Sequence, residues 1–134
     1  MILTQTTFYI DDAYQYKIVY FDMPGKERHH KYVHKYVNGS TAIIYLFDVS
    51  KRPTFERIEQ WITECERACE IPIKILVGNK IDILQSNGGA NNNAGVQKGG
   101  VVANPVTKVE AINLARKYGM EYFETCSVGE ASIV

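Results

Sequence analysis

The chain has no excess charge of either sign. Fifteen basic residues balance fifteen acidic ones, which removes the electrostatic footprint expected of a nucleic-acid binder or of a surface resting on strongly anionic membrane. It also has no apolar run long enough to span a bilayer, and Met1-Ile2-Leu3-Thr4-Gln5 lacks the basic start and long apolar core of a secretory leader. Cysteine is scarce. Cys65, Cys69 and Cys126 are odd in number and scattered, which reads as free thiols in a reducing compartment and not as a disulfide framework. None of the three stands at the carboxyl end, so these residues carry no prenylation motif. His30 and His34 are spaced i, i+4, but no third ligand lies within reach by sequence, so they read as solvated histidines and not as a zinc site. These exclusions leave a single cytoplasmic domain of 134 residues.

What is present is a succession of apolar segments that end in polar groups. Leu3 to Ile10 and Tyr16 to Phe21 predict two strands, joined by a turn at Asp11-Asp12-Ala13. Residues 26 to 38 are polar, but Tyr32, Val33, Tyr36 and Val37 recur at helical spacing and predict a short helix before Gly39. Ala42 to Val49 and Ile71 to Val77 are nearly continuous apolar runs, the composition of parallel strands buried on both faces. Between them a helix is predicted to start at Ser50 or Pro53, with Phe55, Ile58, Trp61, Ile62, Cys65 and Cys69 on one core-facing stripe. Residues 86 to 105 are dense in Asn and Gly without apolar periodicity, which predicts an inserted disordered loop. Thr107-Lys108-Val109-Glu110 fits a capping box, Gly119 can end the helix it opens, and Glu121 to Thr125 is the last predicted strand. The fold class is therefore α/β with polar motifs at strand ends, where open parallel sheets bind their ligands.

The sharpest of these motifs is Asn79-Lys80-Ile81-Asp82, which follows the strand ending at Val77-Gly78. An Asn amide both donates and accepts, an Asp carboxylate only accepts, and guanine presents two N–H groups that adenine does not match. The same four residues also serve as a plain strand end followed by a polar turn. Their companions are Phe21-Asp22-Met23-Pro24-Gly25-Lys26-Glu27, Phe47-Asp48-Val49-Ser50 and Glu124-Thr125-Cys126-Ser127-Val128. In that order and spacing the chain resembles the Ras superfamily of small GTPases, on its Rab branch, where W-D-T-A-G-Q-E, Y-D-V-T, N-K-x-D and E-T-S-A-K stand at these places.

The resemblance implies a small-GTPase open mixed sheet flanked by helices, binding GTP or GDP with Mg²⁺ and acting as a switch in vesicle and membrane traffic. It implies that Asn79 and Asp82 hold guanine, that Lys80 packs its stem along the nucleotide, and that Cys126, Ser127 and Val128 form the second base-contacting segment. Ser127 keeps the backbone N–H that the family's Ala presents, whereas Val128 replaces its Lys. Asp22 is implied to reach Mg²⁺ through water and Gly25 to sense the terminal phosphate, although Pro24-Gly25 also suits a tight turn. Switch II, Lys26 to Asn38, is implied to meet effectors and exchange factors, with His29 standing where an aromatic residue is usual. Lys26 occupies the place of the Gln that orients the attacking water. An ammonium donates but cannot accept, so hydrolysis is expected to be poor.

The chain departs from the pattern at both ends. The ten glycines nowhere form G-x-x-x-x-G-K-[ST], the loop that cradles phosphates, and no final helix follows the E-T-S-A-K equivalent. In the family's strand order 2-3-1-4-5-6 this leaves a gap between the strand of residues 15 to 22 and that of residues 42 to 49, and it leaves one face of the sheet bare. The expectations are a partial domain from a longer or truncated product, or direct pairing of those two edges with another chain over the bare face. A nucleotide-independent adaptor that uses the same fold as a docking module is the alternative function.

Overall fold

The computed structural model describes residues 2–10, 14–23, 33–70, 73–85 and 104–127. Two strands, β1 (Ile2–Ile10) and β2 (Tyr14–Asp22), form an antiparallel hairpin in which Ile2 faces Asp22 and Ile10 faces Tyr14. Three further strands, β3 (Ala42–Asp48), β4 (Ile73–Asn79) and β5 (Glu121–Thr125), form a parallel sheet in the order β3-β4-β5. Each crossover carries helix: α2 (Arg52–Glu56) and α3 (Ile58–Ala68) between β3 and β4, then α4 (Ile81–Gln85) and α5 (Lys108–Lys117) between β4 and β5. A short α1 (Val33–Val37) precedes β3 and ends at Gly39, whose φ of +80° is one that L side chains rarely adopt.

Among the described residues β2 and β3 do not pair, so the expected direct joining of those edges does not occur and the hairpin stands as a separate two-stranded sheet.

The sheet has two unlike faces because side chains alternate along each strand. One face carries Tyr45, Phe47 and Leu76, all buried beneath Ile58 and Ile62 of α3 and Ala111 and Ala115 of α5. Phe47 packs at 4.9 Å, centroid to centroid, on Phe55, and at 6.4 Å on Tyr122. The opposite face carries Ile44, Leu46 and Ile73, which are 54%, 58% and 48% exposed. Fully burying such a side chain is worth roughly 1.5–3 kcal/mol, so these three leave a stabilisation unused that is large beside a typical domain margin of about 5–15 kcal/mol. These three agree with the bare face expected from the sequence, while Ile75 and Val77 on the same face are half-buried.

Three local predictions need correction. The single helix expected from residue 50 or 53 onward is two, divided at Arg57. Thr54 Oγ1 accepts the Asp48 N–H at 3.0 Å and donates to the Lys51 carbonyl at 2.7 Å, pinning α2 to the strand end, while Ile58, Ile62 and Cys65 seat α3 on the sheet. The two docking demands meet at Arg57. Trp61, read as core, is only half-buried against it.

Second, α4 lies where no helix was expected. Third, Asn104 and Pro105, read as the end of a disordered loop over residues 86 to 105, are held in place. Arg52 donates to the carbonyls of Asn104 at 3.4 Å and Pro105 at 3.0 Å, and Val106 is buried with its N–H on the Val49 carbonyl at 2.9 Å. Residues 86 to 103 lie outside the described residues.

The capping box forms as read from the sequence: Thr107 Oγ1 accepts the Glu110 N–H at 3.2 Å and Glu110 Oε2 accepts the Thr107 N–H at 2.9 Å. Arg52 adds a two-pronged contact to the same carboxylate, at 2.8 and 3.1 Å. That guanidinium first, and the Thr107 N–H second, pull the Glu110 carboxyl down to about 2.

Candidate functional site

The carboxyl ends of the three parallel strands finish level. Asp48 is the ladder partner of Asn79, and Asn79 is the ladder partner of Thr125, so three polar residues stand in one row across the sheet. The rows end together because the apolar pattern fixes the register: a slip of one residue would turn Leu76 from the core to the bare face. Alternation places Asp48 in line with Ile44 and Leu46, and Asn79 in line with Ile73, Ile75 and Val77.

Backbone contacts tie the tips together, with the Val49 N–H donating to the Asn79 carbonyl at 3.1 Å. Immediately beyond β4 the chain turns sharply. Lys80 has φ +68° and is one of two described non-glycine residues in the left-handed region, the other being Asn104. Its N–H donates to Asn79 Oδ1 at 2.8 Å, which assigns the Asn79 side chain its orientation and leaves the NH₂ group to donate elsewhere. The Lys80 ammonium donates to Asp48 Oδ2 at 2.7 Å. Asp48 Oδ1 accepts from both the N–H and the hydroxyl of Ser50, at 2.9 and 2.6 Å. Burial pushes the Asp48 carboxyl up, but the hydrogen bonds from Lys80 and Ser50 outweigh it and hold the group below the usual carboxylate range.

The turn at Lys80 leads into α4, so Asp82 sits in the first turn of that helix, half-buried. On the other side, Cys126 and Ser127 follow β5 directly, half-buried and exposed respectively, leaving the sheet from the row that Thr125 shares with Asn79. Between the rows, Glu124 accepts from Tyr122 Oη at 3.1 Å and from Lys108 Nζ at 3.1 Å, and burial raises the Tyr122 phenol above its ordinary range.

The structure thus brings Asn79, Lys80, Asp82, Cys126 and Ser127 to one end of one sheet. Asp22 ends β2 opposite Ile2 and is exposed. Gly25, Lys26, His29, His30 and Val128 lie outside the described residues, as does most of the switch II segment, of which 33–38 are described.

Tested against a guanine nucleotide, the donor set fits the base end. Asn79 offers an amide donor, Asp82 a carboxylate acceptor, and the segment after β5 backbone N–H groups. No group of three or more His, Cys, Asp or Glu side chains that could hold a metal occurs among the described residues.

Sequence reasoning missed Asp48. The apolar run Ala42 to Val49 was seen to end in an acid, and that placement at a strand end beside a lysine-bearing turn was the available signal.

No helix among the described residues is long and apolar enough to cross a membrane. The Ras family model matches residues 3–133. Among curated proteins, the chain is 29% identical over 115 residues to the Ras-related protein Rab-26 of Bos taurus, covering 85% of this chain and 38% of that one. It is 41% identical over 69 residues to Rab-1A of Dictyostelium discoideum, covering 51% and 34%, and 27% identical over 123 residues to Rab-1D of the same organism, covering 91% and 52%. The chain spans between a third and about half of the length of these relatives.

Proposed function

The chain belongs to the Ras family, as a Rab-like small GTPase, and from that premise we propose that it carries the guanine-recognising half of a nucleotide switch acting in vesicle traffic. The observation that supports this most is the level row of strand tips, which sets Asn79, Lys80 and the Cys126-Ser127 segment side by side with Asp82 one turn away. In this reading Asp82 accepts from the guanine N1 and N2 hydrogens, Asn79 donates to the base's acceptor edge, and Ser127 presents its backbone N–H. GTP or GDP is the ligand, and Mg²⁺ would arrive with the phosphates near Asp22.

In this reading the described residues grip the base. Titrating these 134 residues with GMP, AMP and GDP, and following the Asn79, Lys80 and Ser127 amides by NMR, tests this reading. GMP is expected to move those amides and AMP to leave them, with GDP binding more weakly than micromolar. Micromolar GDP binding would contradict the assignment of an unheld phosphate end, and equal responses to GMP and AMP would remove the guanine reading.

Lys26 gives the proposal a kinetic side. At the place of a water-orienting Gln it supplies donors only, so turnover is slow and the GTP state long-lived in any longer chain that does hold the phosphates. Single-turnover hydrolysis in such a chain is expected to accelerate with Lys26→Gln, and an unchanged rate sinks this part.

A second reading is supported by the bare apolar face of Ile44, Leu46 and Ile73: a nucleotide-independent adaptor in which that face meets a protein. Effectors and exchange factors meeting residues 26 to 38 belong to the switch reading. Absence of any GMP response would favour the adaptor.

A further inference from the structure

We propose that Asp48 is a positioning residue for guanine recognition: it holds Lys80 in the left-handed turn from which Asn79 and Asp82 are presented, and so it rests on the guanine reading above.

The argument starts from a conformation that a lysine adopts reluctantly. At φ +68° its Cβ crowds the backbone, and lysine has none of the short local hydrogen bonding that lets Asn or Asp settle there. Such a residue persists only where its surroundings over-determine it. Two contacts do so here: Lys80 N–H to Asn79 Oδ1 at 2.8 Å and Lys80 Nζ to Asp48 Oδ2 at 2.7 Å.

Asp48 is itself fixed independently of Lys80. Its Oδ1 accepts from the Ser50 N–H and hydroxyl, and its own N–H donates to Thr54 Oγ1. Its side chain is 11% exposed while that of Lys80 is 46% exposed, so the acid is the anchor and the lysine the group that is anchored. With the chain fastened on both sides, turning Lys80 out of the left-handed region requires the Asn79–Lys80 peptide to flip, which carries the Lys80 N–H away from Asn79 Oδ1. The Asn79 amide would then be free to rotate, losing the orientation in which its NH₂ points outward as a donor to a purine acceptor. The chain of dependence runs from Ser50 and Asp48 through Lys80 to Asn79, with Asp82 two residues further along the same turn.

Asp48→Asn tests this in the full 134-residue chain, because it keeps a side-chain oxygen for Ser50 and removes the charge that binds the ammonium. Without nucleotide, the Lys80 amide order parameter is expected to fall from the rigid range near about 0.85 toward about 0.6. With GMP as the probe, the initial slope of the Asn79 amide shift is expected to drop by about fivefold or more, the orientation of the Asn79 donor being lost. In a Lys80→Met background, adding Asp48→Asn is expected to cause no further loss, since both substitutions remove the same contact.

An unchanged Lys80 order parameter, or losses that simply add in the double variant, would overturn the positioning role. Asp82→Ala separates the two layers. If it abolishes the GMP response while Asp48→Asn leaves it whole, the guanine reading stands and the role of Asp48 falls. If the unsubstituted chain shows no GMP response, the guanine reading and the role resting on it both fall, whatever the Lys80 order parameter shows.

Discussion

Leu76→Ala is expected to lower the free energy of unfolding by about 2–5 kcal/mol, while Leu46→Ala lowers it by under about 1 kcal/mol. The same residue type is deleted from adjacent parallel strands, on opposite faces. Leu76 is 0% exposed, with Tyr45 and Tyr122 as its ladder neighbours and α3 and α5 above it, so truncation removes its burial and leaves a cavity. Leu46 is 58% exposed and has little burial to lose. Urea unfolding measures both. With a slope of about 1–3 kcal/mol per molar for a small domain, the Leu76→Ala midpoint falls by roughly 0.7–5 M and the Leu46→Ala midpoint moves far less. Comparable losses at the two positions would mean that the sheet is not two-faced in the way described.

Gly78→Ala is expected to destabilise by about 1–3 kcal/mol, against the usual preference for Ala over Gly in a strand. Two effects compete. Replacing Gly in a strand interior gains roughly 0.5–1 kcal/mol through the unfolded chain, since fewer conformations are lost on folding. A Cβ at Gly78, however, would lie 2.7 Å from Tyr122 Oη and 3.1 Å from both Phe47 Cζ and Val49 Cγ1. Tyr122 cannot retreat freely, because its hydroxyl donates to Glu124 Oε1, and Phe47 is held between Phe55 and Tyr122. The clash wins. Thermal or urea unfolding checks the sign, and a more stable Gly78→Ala would show that this part of the core yields more easily than its contacts imply. The glycine before Asn79 is therefore explained by close packing between two aromatic rings.

Much of this was legible in the residues. The continuous apolar runs Ala42 to Val49 and Ile71 to Val77 announced parallel strands, and the capping box at Thr107 to Glu110 formed in full. The stripe through Ile58, Ile62 and Cys65 packs against the sheet as its spacing required. Continuous runs also implied two buried faces, and combined with the family's strand order they exposed the gap beside β3 and the uncovered stripe of Ile44, Leu46 and Ile73. Periodicity could not show the division at Arg57, because Phe55 and Ile58 keep helical spacing across it, and the division arises from Thr54 reaching back to Asp48. The helix α4 escaped notice because five residues are too few for a pattern. The roles of Asp48 and Arg52 were hidden for a different reason. Lys80 lies 32 positions from Asp48 and Glu110 lies 58 from Arg52, and pairing across such separations follows from strand register and crossover packing, not from local composition.

The level strand tips constrain how this chain can vary in length. One residue added inside β4 would carry Asn79 about 3.3 Å past Asp48 and reverse the facing of every side chain beyond the addition. After the turn at Lys80 and the helix α4, Arg52 and Val49 fasten the chain at Asn104, Pro105 and Val106. The sheet itself therefore keeps a reading frame with no slack.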